Sequence, residues 1–317
     1  MIIKEELKKG IKHYIVKKDY SDEALEKKLG SKLTNKSISN IIDHDADVFT
    51  EEGKLLLRFR KNVLPQKNVE QAYDNLIAFA KNKTSTRGTT SATPKGMRNP
   101  GTNVPIMSNI IGYFDKWTIG QKHIFKTLGI KPPFNVRVSS FTAKYPDKWD
   151  KVIPLVQDID RMYKKLAPSH HKKQYKMADE TAYRICGTSF TTVTTNVNLQ
   201  TACHTDSGDF KEGFGNLVVI EKGKYKGGYT VFPQYGVGVD VRTGDFLAMD
   251  VHQVHGNTKM IPLSKDAIRM SLVSYLREDV HKKSKGTGPD HIKKNINTMQ
   301  RIHAKYQKIK HGGNTDL

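Results

Sequence analysis

The chain has 317 residues, of which 37% are hydrophobic and 9% aromatic. This composition is sufficient for a folded core and excludes a wholly disordered protein. Lys and Arg number 53 against 32 Asp and Glu, which gives a formal net charge of +21. Such an excess favours a polyanionic partner, because each phosphate that a cation neutralises releases counterions. The two cysteines are too few for a disulfide framework or a cysteine-based zinc site and fit a reducing compartment.

The sequence contains no signal for membrane insertion or secretion. No stretch approaches the roughly 18 apolar residues that span a bilayer. The first ten residues, MIIKEELKKG, lack an apolar segment of signal-peptide length. We therefore expect a soluble, intracellular protein with no membrane partner. If its positive charge serves DNA, it works in the nucleus, or in the cytoplasm of a prokaryotic or virus-infected cell.

The first segment, residues 1–95, is rich in lysine, and its pattern predicts a mostly helical N-terminal extension. Ser21 is a candidate N-cap for a short helix. A second helix is predicted over residues 69–81, because Tyr73, Leu76 and other apolar residues recur on one face.

A polar stretch follows over residues 81–105, rich in Thr, Ser, Gly, Asn and Pro. It contains Arg87 and Arg98 and predicts a loop, either ordered or facing a substrate. Beyond Pro146, apolar residues recur at helical spacing and predict a long helix that packs on the core. Pro154 predicts a kink within that helix.

From about residue 188 the pattern changes to short runs of β-branched and apolar residues separated by Gly and Asp. We expect strands at 190–198, 217–220, 229–232, 237–241, 246–249 and 270–276. Runs at this spacing without intervening helices favour an antiparallel sandwich or barrel over a βαβ fold. The expected fold class is α+β, with a mainly β domain over residues 96–280 and flanking helices. Residues 281–317 carry nine Lys and Arg and predict a basic helical tail.

Three residues of the β region form the central pattern: His204, Asp206 and, 51 positions after His204, His255. Residues i and i+2 of an extended segment point the same way, so His204 and Asp206 can bind one metal. A histidine from a distant strand would complete a three-ligand face. Two imidazoles and a carboxylate with open positions suit non-haem Fe(II), which must bind a co-substrate and O2. The helical HExxH spacing of many zinc hydrolases is absent from the sequence.

Spacing alone leaves the distal ligand open, because His252 lies three residues before His255. We favour His255, since Gly256 and Asn257 directly after it predict a tight turn into the site. Cys203 precedes His204 and should point to the opposite face as a packing residue.

Arg269 and Ser271 share one face of the last predicted strand. A buried Arg is costly unless it is paired. The distal carboxylate of 2-oxoglutarate would be a bidentate partner, and an ordinary salt bridge with a strand neighbour is the alternative. Asn196 and Asn198 also share a strand face, where they either reach the cofactor or hold the sheet.

Five motifs carry a family resemblance over about residues 85–280: HTDSGDF (204–210), GDFLAMDVHQVHGNT (244–258), RMSLVSYLR (269–277), SNIIGYFD (108–115) and SSFTAKYPDKWDKVIPL (139–155). Together they resemble the TET/J-binding-protein (TET/JBP) DNA base hydroxylases, a branch of the Fe(II)/2-oxoglutarate-dependent dioxygenases. The resemblance implies a double-stranded β-helix (jelly-roll, cupin-like) fold that uses Fe(II), 2-oxoglutarate and O2. It also implies hydroxylation of the 5-methyl group of a pyrimidine in DNA, with the base flipped into the site.

Matching the motifs residue by residue, the resemblance implies a set of roles. The catalytic iron ligands would be His204, Asp206 and His255; the 2-oxoglutarate contacts would be Arg269 and Ser271; and a base contact would be Asp209. Thymine, converted to 5-hydroxymethyluracil, is favoured over 5-methylcytosine, converted to 5-hydroxymethylcytosine, because the motifs look closer to the J-binding proteins.

Two other functions are compatible with parts of the pattern. A prolyl or lysyl protein hydroxylase would share the fold, metal and co-substrate but would not need a charge of +21. A non-catalytic nucleic-acid-binding module would need the charge, yet it has no reason to retain His204, Asp206, His255 and Arg269 together.

Overall fold

The computed structural model describes residues 1–84 and 105–311. Within them the strands are β1 (Ile2–Lys8), β2 (Ile11–Val16), β3 (Asn40–Ile42), β4 (Ala46–Thr50), β5 (Leu55–Arg60), β6 (Ser108–Phe114), β7 (Arg137–Val138), β8 (Thr192–Val197), β9 (Gly215–Lys222), β10 (Tyr225–Gly227), β11 (Thr230–Phe232), β12 (Val237–Val239), β13 (Phe246–Met249), β14 (Gly256–Asn257), β15 (Met260–Pro262) and β16 (Ile268–Tyr275). The helices are α1 (Asp22–Glu26), α2 (Gln66–Ala80), α3 (Ile119–Thr127), α4 (Ser140–Lys144), α5 (Pro146–Leu166), α6 (Pro168–Asp179), α7 (Glu278–Ser284) and α8 (Pro289–Lys310), with short 3-10 helices at Asn35–Ser37 and Pro233–Tyr235.

Two stacked sheets form the centre of the protein. Ten of the described strands make the main sheet, in the order β1-β2-β4-β5-β13-β9-β16-β8-β6-β7, and the second sheet has the order β14-β11-β12-β3. The central pairs β13–β9, β9–β16 and β16–β8 are all antiparallel. This is the antiparallel sandwich that the short, evenly spaced β runs predict.

Each face of the main sheet has its own apolar core, and β16 illustrates how the sequence divides them. Met270 and Leu272 belong to the cluster that packs under helices α2 and α5. Val273 of the same strand packs instead against a second cluster, with Phe232 and Val237 of the second sheet. The alternation of side chains along a strand therefore puts one set of residues under the helices and the other between the sheets.

The prediction of a mostly helical N-terminal extension is wrong. Residues 1–84 contain five strands, and β5 pairs antiparallel with β13 in the middle of the main sheet, with Leu57 opposite Met249. β3 lies parallel to β12 in the second sheet. Short apolar runs such as Leu55–Arg60 are stabilised as strands by pairing with these distant partners. Their secondary structure therefore cannot be predicted from local lysine content or helical periodicity.

Other predicted elements coincide with observed ones. Ser21 caps α1, where its hydroxyl accepts from the Ala24 amide at 3.3 Å. The helices expected over 69–81 and beyond Pro146 are α2 and α5. Most of the predicted loop over 81–105, including Arg87 and Arg98, lies outside the described residues, as does the boundary at residue 95.

In the described ranges, none of the helices combines the length and the apolar character needed to cross a bilayer.

Candidate active site

A cavity of about 150 Å³ opens between the two sheets, a volume on the scale of a small organic ligand. The main sheet supplies alternate residues of β16, namely Arg269, Ser271, Val273 and Tyr275. The second sheet contributes Thr230 and Asn257 from its facing strands. His204, Asp206 and His255 also line this cavity, so the three candidate ligands and the candidate anchor share one cavity.

A two-residue ladder brings the candidate ligands together. The His204 and His255 backbones exchange two hydrogen bonds of 2.8 Å, and the Asp206 amide donates to the Val251 carbonyl at 3.0 Å. The Asp206 carboxylate lies 3.5 Å from Nε2 of His204 and 3.6 Å from Nε2 of His255. One donor atom from each residue falls within 4.8 Å of the others. Such a two-histidine, one-carboxylate face suits a non-haem iron with open positions.

Backbone carbonyls fix the orientation of both imidazoles. Nδ1 of His204 donates to the Ala202 carbonyl at 2.6 Å, and Nδ1 of His255 donates to the Gln253 carbonyl at 2.9 Å. A carbonyl can only accept, so each ring carries its proton on Nδ1 and turns a lone pair on Nε2 toward Asp206. This is the second-sphere arrangement that orients histidine ligands in metal sites.

His255 forms the buried floor of the cluster, with 6% of its side chain exposed against 30% for His204 and 33% for Asp206. Burial, followed by the neighbouring His204, lowers the pKa of His255 to about 4. The ring is therefore neutral at neutral pH, which is the state that binds a metal.

His252, the competing candidate, has a different environment. Its Nδ1 lies 3.2 Å from Asp250 Oδ1, and its Nε2 lies 3.5 Å from the Asp209 carbonyl. The hydrogen bond to Asp250 raises the pKa of His252. Both ring nitrogens thus face acceptors, and the structure groups His255, not His252, with His204 and Asp206.

The tight turn predicted after His255 is not observed. Gly256 and Asn257 form strand β14, which pairs with Thr230 and Val231. A side chain at position 256 would be crowded, because its Cβ would lie 3.0 Å from the Ala202 carbonyl oxygen and 2.9 Å from Cδ1 of Leu33. The close approach of these two backbones is what aligns the histidine ladder.

Arg269 is buried, with 6% of the residue exposed, and among the described residues its Nε has no hydrogen-bond partner. Burial lowers its pKa. The adjacent Glu221 is already held by Arg242 at 3.0 Å and by the Thr243 amide at 2.8 Å. A buried guanidinium with an unmet donor indicates an anion that is not part of the protein.

Gly228 makes room for Arg269. Its φ is +74°, and a Cβ there would lie 2.8 Å from both Cδ and Nε of Arg269. The glycine doublet 227–228 marks a break between strands in the sequence, and its packing against the guanidinium is a role that the sequence does not reveal.

The two strand asparagines have different roles. Asn196 lines the cavity. Asn198 has a φ of +50°, and its Oδ1 accepts from the Arg269 amide at 2.8 Å, so it holds the sheet instead. Cys203 is fully buried beside Leu33 and Val231, in agreement with a packing role.

Asp209 is buried on the cavity wall beside Arg277. Its Oδ1 lies 4.0 Å from Arg277 Nη1, while Nε of Arg277 donates to Asp115 at 2.8 Å. The Arg277 guanidinium lies 5.0 Å from the centre of the Phe114 ring. Sequence reasoning missed Arg277, Asp115 and Phe114 as site residues, although all three fall in the motifs that carry the family resemblance.

Comparison with known proteins extends these observations. Residues 129–278 match the family Tet_JBP, described as the oxygenase domain of the 2OGFeDO superfamily. "Bifunctional helicase and thymine dioxygenase JBP2" of Leishmania major is 34% identical over 188 residues, or 59% of this chain and 16% of that protein. "Thymine dioxygenase JBP1" of Trypanosoma brucei brucei is 34% identical over 172 residues, or 54% of this chain and 19% of that protein. The chain thus spans less than a fifth of either relative.

A solved structure, "NgTET1 in complex with 5mC DNA", superposes with a TM-score of 0.52 and 13% identity, covering 88% of both chains. At this identity the likeness establishes the fold alone, and it confirms the predicted α+β class with its double-stranded β-helix core. The matched segment includes His204, Asp206, His255 and Arg269. Residues 129–278 of this chain, the segment that holds these four residues, thus match the Tet_JBP oxygenase domain of the 2OGFeDO superfamily.

Proposed function

We propose that this protein is an Fe(II)- and 2-oxoglutarate-dependent dioxygenase that hydroxylates the 5-methyl group of a pyrimidine base in DNA, with thymine the favoured substrate. The observation that carries the proposal is the conjunction of a His-Asp-His cluster and a buried, incompletely paired Arg269 in one cavity. The match of residues 129–278 to the Tet_JBP domain and the similarity to thymine dioxygenases support the same assignment.

His204, Asp206 and His255 would hold the iron. Their fit is supported by the two Nδ1–H groups, which donate to the Ala202 and Gln253 carbonyls and so leave Nε2 as the ligating atom of each ring. When bound, the iron couples oxidative decarboxylation of 2-oxoglutarate by O2 to oxidation of a substrate C–H bond. The protein binds and orients the reactants and keeps water out.

Arg269 would bind the distal carboxylate of 2-oxoglutarate, and Ser271, two residues along the same strand face, would assist. The fork of the guanidinium suits a carboxylate, and an anion would compensate the buried charge. Arg269 and the ligand cluster line one cavity of about 150 Å³, which would accommodate a short dicarboxylate.

We expect Gly228→Ala to weaken 2-oxoglutarate binding, because its Cβ would displace the Arg269 side chain. Gly286→Ala is a matched control: its φ of +79° imposes the same backbone strain, but nothing lies within 4 Å of a Cβ there. Both variants should lose about 1 kcal/mol of stability from the positive φ. Calorimetric titration with 2-oxoglutarate and Mn(II) should show a Kd at least about tenfold higher for Gly228→Ala alone; equal Kd values for the two would contradict the placement of Arg269.

We further propose that helix α8 contacts DNA phosphates. Five of its cations, Lys293, Lys294, Arg301, Lys305 and Lys308, are exposed, and its sequence contains a single acid, Asp290. In α7, by contrast, Lys282 and Lys283 are paired with Glu278 and Asp279. Asn295 anchors α8 by donating to the Val136 carbonyl at 2.8 Å, next to the strand that bears Arg137. An uncompensated cationic helix beside the sheet edge suits a phosphate backbone.

Charge neutralisation tests this surface. The α8 variant replaces Lys293, Lys294, Arg301 and Lys305 by Gln. The control replaces four exposed lysines of α5, which packs on the same apolar cluster as α8: Lys148, Lys151, Lys164 and Lys165. Fluorescence anisotropy with a DNA duplex should show at least about a tenfold loss of affinity and a shallower salt dependence for the α8 variant. An equal loss in the α5 control would indicate that net charge matters and the helix does not.

Three outcomes of one incubation separate the candidate functions. The protein is given Fe(II), 2-oxoglutarate, O2 and DNA containing thymine or 5-methylcytosine, followed by nucleoside mass spectrometry and succinate assay. The proposal predicts 5-hydroxymethyluracil and succinate, both lost in His204→Ala. Succinate without a modified base would favour a protein hydroxylase, and DNA binding without succinate would favour a non-catalytic module. Because the proposed substrate is DNA, we expect the protein to act in a compartment that contains DNA.

A further inference from the structure

Arg277 connects three segments at the mouth of the cavity. It follows β16, where strand parity puts it on the same side as Tyr275. Its amide donates to the Thr191 hydroxyl at 2.9 Å, and its Nε donates to Asp115 Oδ1 at 2.8 Å. The guanidinium then extends over the Phe114 ring toward Asp209.

The loop that follows the candidate ligand Asp206 is fastened to Arg277 and its neighbours. The Phe210 amide donates to the Leu276 carbonyl at 2.9 Å, and the Glu278 amide donates to the Gly208 carbonyl at 3.2 Å. The Arg277 guanidinium packs directly on the backbone at Gly208, where a Cβ would overlap it. Residues 208–210 therefore form an antiparallel pairing with 276–278, centred on Asp209 and Arg277.

The charges at this point depend on Arg277. The Asp115 side chain is fully buried, the Asp209 side chain is 9% exposed and the Arg277 side chain is 15% exposed. One guanidinium therefore lies between two buried carboxylates. Lys283 also lies 3.8 Å from Asp115 and is 40% exposed. Without the Arg277 guanidinium, both carboxylates would lose a buried cationic partner, and this loss favours displacement of the loop.

We propose that Arg277 is a positioning residue that fixes the 208–210 loop, and with it the Asp209 carboxylate, beside the open side of the metal site. The inference rests on the proposed function, in which a base enters this mouth. A carboxylate can accept a hydrogen bond from the N3–H of thymine or from the exocyclic amine of a cytosine. Arg277 would then determine how well the methyl group is aligned for oxidation, without binding the metal or 2-oxoglutarate.

Two variants disturb this contact in different ways. Arg277→Lys keeps the charge but loses the planar fork that spans Asp115 and Asp209. Gly208→Ala keeps Arg277 and inserts a Cβ into the space of its guanidinium. Gly120→Ala, on α3, is the control substitution, because nothing lies within 4 Å of a Cβ there. Melting curves would establish that each variant is folded.

The decisive readout is the ratio of hydroxymethylated base to succinate. Ascorbate is included to supply the electrons for turnovers that form succinate without oxidising the base. We expect the ratio to fall about tenfold in Arg277→Lys and Gly208→Ala, because small misplacements of a reacting group have effects of that size or larger. Succinate formation should change by less than about threefold. In metal-free protein, amide hydrogen exchange of residues 208–210 should accelerate in both variants and not in Gly120→Ala.

A parallel loss of product and succinate would overturn the inference, because Arg277 would then support the metal site as a whole. An unchanged ratio would overturn it as well. If no DNA substrate supports succinate formation by the unaltered protein, the proposed function fails. This result differs from a parallel loss of product and succinate and from an unchanged ratio, both of which concern the variants.

Discussion

Replacing His255 with alanine is expected to abolish both metal binding and base oxidation, while replacing His252 leaves both largely intact. The two histidines are three residues apart, yet only His255 has Nε2 near Asp206, at 3.6 Å. Substituting residues that merely orient a metal ligand already costs about 10- to 100-fold in affinity. Loss of a ligand should therefore weaken Fe(II) or Mn(II) binding by more than about 100-fold.

Metal titration of the two variants, monitored by calorimetry or by Mn(II) electron paramagnetic resonance, measures this difference without any turnover. His252→Ala loses a partly buried interaction with Asp250. This variant should retain a metal affinity within about threefold of the unaltered protein, because His252 is not among the candidate ligands. Equal loss of metal in both variants would place the site elsewhere or show that the whole loop had unfolded. Tight metal binding by His255→Ala would contradict the ligand assignment outright.

Arg269→Met is expected to remove 2-oxoglutarate binding and, at the same time, to stabilise the ligand-free protein. Truncating one partner of a buried charge pair costs about 2–5 kcal/mol, which corresponds to a rise in KM for 2-oxoglutarate of at least about 30-fold. In the ligand-free protein, however, the guanidinium is buried and its Nε lacks a partner in the described chain. Methionine of similar length removes that penalty, so the melting temperature should rise or stay level.

Arg242→Met is the comparison variant, because Arg242, between β12 and β13, already has carboxylate partners in the protein. Arg242 donates to Asp240 at 2.6 Å and to Glu221 at 3.0 Å, so its removal takes a cation away from two carboxylates. We expect this variant to lose about 1–3 kcal/mol of stability. Thermal unfolding with and without 2-oxoglutarate separates the two arginines. A clear drop in the melting temperature of ligand-free Arg269→Met would show that Arg269 is already satisfied by the protein.

The β core was predictable because the local sequence of each of its strands has a typical β pattern. Runs such as residues 270–276 are rich in apolar and β-branched residues, and parity then gives the faces of Arg269 and Ser271 correctly. The N-terminal strands were not predictable in this way. β5 depends on its pairing with β13 nearly 190 residues later, and no local pattern carries that information.

The same distinction applies to the candidate site. His204 and Asp206 are two residues apart, so their shared direction follows from strand geometry. The choice between His252 and His255 depends on a backbone ladder with His204, which the sequence does not encode locally. Arg277 and Asp115 are brought together across 162 positions, and as a buried ion pair they leave no periodic signal.

The most direct test of the account is incubation of the protein with Fe(II), 2-oxoglutarate and thymine-containing DNA under ¹⁸O2. A dioxygenase divides the two oxygen atoms between its products. We expect one labelled oxygen in succinate and one in the hydroxymethyl group of 5-hydroxymethyluracil, with neither product formed by His255→Ala. Formation of succinate with no oxidised thymine or 5-methylcytosine would contradict the assignment of DNA as substrate, and absence of labelled succinate would contradict the dioxygenase itself.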